Sequence, residues 1–254
     1  MFESDAVTEV GQRGKPPVAG LPRAAQLDAL RAQMAAIPGR VAAEATPPAT
    51  TAADVLPIGG GLGELLPNGG LPRGAVVGCT GGGSVLLGLL AAATAAGESV
   101  AVLGNPRAGW LAFHEMGGRL DRLAHIPDPG PDPMAVAAVL LEGVPVVVLD
   151  MAGSAAPSRA RAVVARVRSH GGVLIVTGPG WARADLELEC RPAAYAGLGR
   201  GRGRLQAVHL EVRVSGRGTR PRTSRVTLAG ALGGRTCWTR QTAPAAAATF
   251  PRTG

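Results

Sequence analysis

Lysine is almost absent from this chain. Of 26 basic residues only Lys15 is a lysine, near the N-terminus, so no amine is available for chemistry inside a fold. Aromatics are scarce too: three Trp, three Phe and one Tyr leave little material for stacking on nucleic-acid bases. Three cysteines, Cys79, Cys190 and Cys237, stand far apart with no paired spacing. That excludes a disulfide framework and a zinc site, and fits a reducing, cytoplasmic setting. His114, His125, His170 and His209 are scattered without metal-ligand spacing, and no nucleophile with a partnered base stands out, so no catalytic residue, metal or cofactor is expected. The N-terminus lacks the charged-then-apolar order of an export signal. One long uncharged run, between Arg73 and Glu98, could span a bilayer by length, but its seven glycines, three of them consecutive, fit a strand, turn and helix instead.

What is present is arginine, unevenly placed. The formal charge is +8, yet the first 190 residues carry a small acidic surplus, because twelve arginines and a single acid, Glu211, lie from Arg191 onward. Such a basic segment suits an acidic partner such as DNA.

Residues 1–21 read as a disordered tail. Residues 22–38 place Leu27, Leu30, Met34 and Ile37 at helical spacing before Pro38 and Gly39, an amphipathic helix that either caps the domain or docks on a partner protein. Residues 39–55, rich in Ala, Thr and Pro, read as a linker. From residue 56 to 230 a core is expected. Short apolar runs ("AVVGC", "SVAVLG", "VPVVVLD", "GVLIVTG") alternate with helical ones up to Trp181, which predicts an α/β fold with a mainly parallel sheet covered on both faces. In the helix opened by Pro157 and ended by Gly171, Ala160, Val163, Val164 and Val167 face inward. After Trp181 period-two alternation takes over, predicting antiparallel strands at the C-terminal edge, with a basic hairpin region over 185–230. Residues 231–254 read as a flexible tail.

The stretch "GAVVGCTGGGSVLLGLL" has the build of a strand, glycine loop and helix that cradle phosphates. A phosphate-binding loop needs Gly-x-x-x-x-Gly-Lys and then Ser or Thr: backbone N–H groups hold oxygens, the lysine neutralises charge, the hydroxyl holds magnesium. In the nearest frame Gly78 leads through Gly81, Gly82 and Gly83 to Ser84 in place of the lysine and Val85 in place of the hydroxyl. Asp150 ends "VPVVVLD" and alone does not establish a metal site. Turnover of ATP is therefore not expected. Basic residues gather instead at Arg200, Arg202 and Arg204, and at Arg213, Arg217, Arg220, Arg222 and Arg225, an expected contact for DNA or an acidic partner.

"GGLPRG" (Gly69 to Gly74), followed by "AVV" and a glycine-rich turn, resembles the opening of the RecA ATPase core, as "GGRLDRL" and "VPVVVLD" resemble later parts of it. Where that core carries its catalytic carboxylate, this chain reads Asn105, Pro106 and Arg107; where it carries two DNA-binding loops, the chain has only "MAGSAAPS" and "GPGWARA". With "PDPGPDP" and "GLGRGRGRL" added, roughly residues 22–230 resemble the ImuA group, most closely its actinobacterial ImuA-prime branch. The resemblance implies a non-catalytic accessory protein of damage-induced mutagenesis. It would work with ImuB, an inactive Y-family polymerase relative, and through it with an error-prone C-family polymerase. SulA, a division inhibitor that also resembles a RecA core without the loop, is the alternative the resemblance leaves open.

Overall fold

The computed structural model describes residues 54–241 apart from 152, 182, 200, 201, 232 and 233. The amphipathic segment with Leu27, Leu30, Met34 and Ile37, and Arg200, lie outside the described residues, and the side chain of Arg202 is not described.

Eleven strands and five α-helices are formed among these residues. A small antiparallel pair, β1 (Val55–Pro57) and β2 (Gly70–Pro72), brackets the short helix α1 (Gly60–Gly63). Then β3 (Ala75–Thr80), β4 (Val100–Leu103), β5 (Leu123–Ile126), β6 (Val146–Asp150) and β7 (Val173–Thr177) alternate with α2 (Gly83–Ala95), α3 (Trp110–Glu115), α4 (Pro133–Leu140) and α5 (Pro157–His170). Four strands follow without helices between them: β8 (Leu186–Gly199), β9 (Arg202–Gly216), β10 (Thr219–Gly230) and β11 (Thr236–Gln241).

Nine of these strands make one sheet in the order β11-β10-β9-β8-β3-β7-β6-β4-β5. From β8 to β5 neighbours run parallel; from β8 to β11 they run antiparallel. The chain is thus mixed α/β with a mostly parallel sheet and antiparallel C-terminal strands, as the two sequence grammars predicted.

Burial on both faces explains the unbroken apolar runs. Val146 and Val148 of β6 point into the cluster under α2 and α3, while Val147 and Leu149 point into the cluster under α4 and α5. The central helix α2 is apolar nearly all round because almost every position from Val85 to Thr94 is buried. Its one buried hydroxyl, Thr94, donates to Leu90 O at 3.0 Å and accepts from Arg119 N at 3.1 Å, so no polar atom is stranded there. In α5, Pro157 sits in the first turn, Gly171 caps the end at φ 65°, Val163 and Val167 are buried, and Ala160 and Val164 pack against the same cluster.

The C-terminal boundary needs correction. Residues 231–254 read as a tail, but Thr236–Gln241 form β11, paired with β10 from Arg225↔Gln241 to Gly230↔Thr236. The stretch is polar because only one face is covered: Trp238 packs against the core cluster while its neighbours Cys237 and Thr239 are exposed.

Candidate functional site

Consecutive strands β3 and β4 do not neighbour each other; β7 and β6 lie between them. The connection from β3 runs to β4 on one side while that from its neighbour β7 runs to β8 on the other, and the crevice at the carboxyl ends of these two strands is where open α/β sheets place ligands. A cavity of about 520 Å³ sits at this point, lined by Thr80, Gly81, Gly82, Gly83, Asn105 and Asp150 among others. Asn105 lies two residues beyond the end of β4, in the left-handed region at φ 52°. Asp150 ends β6 and accepts a hydrogen bond from Thr177 Oγ1 at 2.6 Å. No basic side chain lines the cavity among the described residues; Arg107 is exposed and outside it.

The turn itself is short. Strand geometry persists through Cys79 and Thr80, and α2 begins at Gly83, so only Gly81 and Gly82 connect them. A phosphate-binding loop keeps four residues between its glycines alone. The glycines have a local reason. Gly81, at φ 72°, lies so close to the Cys190 carbonyl that a side chain would collide with it, and a Cβ on Gly82 would meet the Cys190 Cβ and lie 2.8 Å from its Sγ. Strand β8 thus packs tightly against the turn. Gly78, within β3, is pressed by the Glu187 carboxylate, which is held by Ala184 N at 3.2 Å. Ser84 sits in the first turn of α2 outside the cavity lining, and Val85 is buried in the core. Of the seven residues predicted for a degenerate nucleotide site, the structure brings Gly81, Gly82, Gly83 and Asp150 together and leaves Gly78, Ser84 and Val85 outside.

Cys79 and Cys190 meet beneath the turn, both buried. Hydrogen bonding with Cys190, and burial, push the Cys79 thiol well above its ordinary 9.0. The two short loops after β6 and β7 are bonded to each other, Ala155 N donating to Gly180 O at 2.8 Å, so they close on themselves. No group of three or more His, Cys, Asp or Glu suited to a metal occurs among the described residues.

The predicted arginine contact does not form one patch. Gly216 pairs with Leu186, whereas Arg202 pairs with Gly199, so the two arginine groups lie at opposite ends of β9. Arg204 and Arg217 are about 40 Å apart at the rise of a strand. Arg213 stands 4.0 Å from Glu189, and Arg225 lies opposite Glu211. Arg222 points to the other face and donates to Leu65 O at 2.6 Å, a tie to the core. Arg204, Arg217 and Arg220 are exposed.

A family model described as the MT3502 N-terminal domain matches residues 64–183. The Mycobacterium tuberculosis protein named Uncharacterized protein Rv3395c is 40% identical over 204 residues, which cover 76% of this chain and 93% of that protein. The chain belongs to this Rv3395c family. Every residue lining the β3–α2 cavity falls inside the matched domain span, while β8 to β11 lie beyond it. No helix among the described residues is long and apolar enough to cross a membrane.

Sequence reasoning missed a second cavity, about 500 Å³, between α2 and β11. Gly88 and Ala92 form its floor; Arg235, Thr236 and Trp238 flank it. Trp238 Nε1 and Thr236 Oγ1 are buried there without a hydrogen-bond partner among the described residues. The only signal was the alternation in "TCWTRQ".

Proposed function

We propose that the chain is a non-catalytic RecA-like accessory protein of damage-induced mutagenesis, of the ImuA-prime type. It joins an ImuB-type polymerase relative to an error-prone C-family polymerase and touches DNA through its basic C-terminal strands. One observation carries the reading: at the switch point of a mostly parallel sheet, where an ATPase of this class would hold its triphosphate, a two-residue turn is crowded by Cys190 and no basic residue lines the cavity among the described residues. Backbone dipoles at the start of α2 remain, but without lysine, magnesium-binding hydroxyl or catalytic carboxylate the charge of a triphosphate is uncompensated. What such a core offers is surface.

Removing the gene tests this. Damage-induced mutation falls to the uninduced level while spontaneous mutation is unchanged, and the tagged chain co-purifies with the ImuB-type protein. Unchanged induced mutation refutes the reading. Filamentation on overexpression without any effect on mutation assigns division control instead.

A further inference from the structure

The two ends of β9 differ in charge environment. From Cys190 to Leu210 the chain carries four arginines and no acid. The last shared pairing of β9 with β10 is Ala229↔Ala207, and β3 has already ended opposite Glu189. Residues 197–199 of β8 and 202–206 of β9 therefore continue alone as a two-stranded ribbon, paired at Leu198↔Gly203 and Gly199↔Arg202. It spans roughly 15 Å at the rise of a strand.

Glycine occupies positions 197, 199, 201 and 203. Gly197, at φ 88°, is pressed against Arg204 O and Gln206, and Gly203 stands at φ 113°, so the strands approach where side chains would hold them apart. Leu198 is paired with Gly203, and the register shifts between Ala196 and Leu198, so that Arg204, Leu205 and Gln206 bulge opposite Gly197. Leu198 and Leu205 are 48% and 49% exposed, and Arg204 has no hydrogen bond or ion pair among the described residues.

A thin ribbon carrying an unpaired arginine and two bare leucines matches a known physical solution. Arginine is drawn to the negative potential of the DNA minor groove, about 6 Å wide, and apolar side chains wedge between base steps there. A single-strand platform would need several aromatics, and only Tyr195 is near.

We propose that the β8–β9 ribbon is a minor-groove DNA arm, with Arg204 facing the groove's negative potential and Leu198 and Leu205 as wedges. This rests on the DNA contact in the function proposed above and assigns it to one element.

Full-length protein is titrated by fluorescence anisotropy against a labelled A·T-rich duplex and the matching single strand across a salt series. Wild type prefers duplex and is displaced by a netropsin-type minor-groove ligand. The double variant Leu198→Ala/Leu205→Ala binds roughly tenfold more weakly. Arg204→Ala lowers the slope of log affinity against log salt by about 1, and Arg204→Lys restores it. All these side chains are exposed, so melting temperatures match wild type. If wild type binds duplex and the ribbon variants bind as well as it does, the arm is refuted while DNA contact stands. Preference for single strand, or indifference to the minor-groove ligand, also refutes the arm. Absence of salt-dependent DNA binding by wild type removes the DNA contact itself. Variants that keep DNA affinity but no longer retain the ImuB-type protein make the ribbon a protein-docking element, which overturns the proposal.

Discussion

Replacing Gly81 and Gly82 by alanine decides whether these glycines serve a ligand or the approach of β8. In a phosphate-binding turn glycine keeps backbone N–H groups accessible, and an added methyl harms binding far more than folding. Here both positions are crowded by Cys190, but by different atoms. A Cβ on Gly82 meets the Cys190 side chain, its Sγ at 2.8 Å. Overpacking of that kind costs about 1–3 kcal/mol. For a core of this size each kcal/mol lowers the melting temperature by about 2–4 °C, so Gly82→Ala melts roughly 2–12 °C below wild type. At Gly81 the obstacle is the Cys190 carbonyl, and φ 72° adds the left-handed penalty of about 1–2 kcal/mol. Gly81→Ala therefore loses about 2–5 kcal/mol.

The distinguishing step is a double-mutant cycle read by thermal melting. Cys190→Gly removes the side chain but not the carbonyl. It relieves Gly82→Ala, with a favourable coupling of about 1 kcal/mol or more, and leaves the cost of Gly81→Ala untouched. Cys190→Ala, which retains the Cβ, relieves Gly82→Ala only in part. If both alanine variants melt within about 1 °C of wild type, or if Cys190→Gly relieves neither, the packing of β8 against the turn is wrong and the glycines must be explained by what they bind.

Installing Ser84→Lys with Val85→Thr yields no magnesium-dependent phosphate release, because a two-residue turn cannot wrap the β-phosphate; turnover above the wild-type background would refute this. Gly88→Ala removes a helix-interior glycine yet lowers the melting temperature, since the new Cβ would lie 2.5 Å from Trp238 Nε1 and 2.7 Å from Leu62 Cδ1, and overpacking outweighs a helix-propensity gain of about 1 kcal/mol; a stabilised variant would show that β11 does not pack there. A thiol reagent near neutral pH modifies Cys237 alone, because Cys79 and Cys190 are buried and Cys79 is held protonated; mass spectrometry finding fast adducts on either buried thiol would contradict the packing. Arg222→Ala costs about 1 kcal/mol through loss of its solvent-screened hydrogen bond to Leu65 O while leaving any DNA affinity unchanged, as melting and anisotropy together would reveal.

The parallel half was legible because its signals are local. Pro157 and Gly171 bracket α5, and the unbroken valines of β6 require cover on both faces. What was illegible depends on contacts between distant segments. The crowding of Gly81 and Gly82 originates at Cys190, more than a hundred residues later, so the sequence showed glycines without their cause. Strand β11 was hidden because an edge strand needs only alternate covered positions, and Trp238 finds its cover on α2, at Gly88. The arginines of 200–225 read as one cluster along the chain, yet a β-meander folds adjacent hairpin turns to opposite ends of the sheet, so proximity in sequence became distance in space.

One strand links the two features on which the proposed function rests. Strand β8 runs parallel to β3 and beside it, so its early residues must pack against whatever follows Thr80, and its later residues must leave the sheet at that same carboxyl edge. Cys190 is the last β8 residue beneath the turn; Gly197 begins the ribbon seven positions on. A loop long enough to wrap a triphosphate would occupy the path β8 takes past Gly81 and Gly82. The extended course of β8 that carries the ribbon is therefore incompatible with a full phosphate loop at this position, and the shortened turn and the projecting ribbon follow from a single choice of strand path.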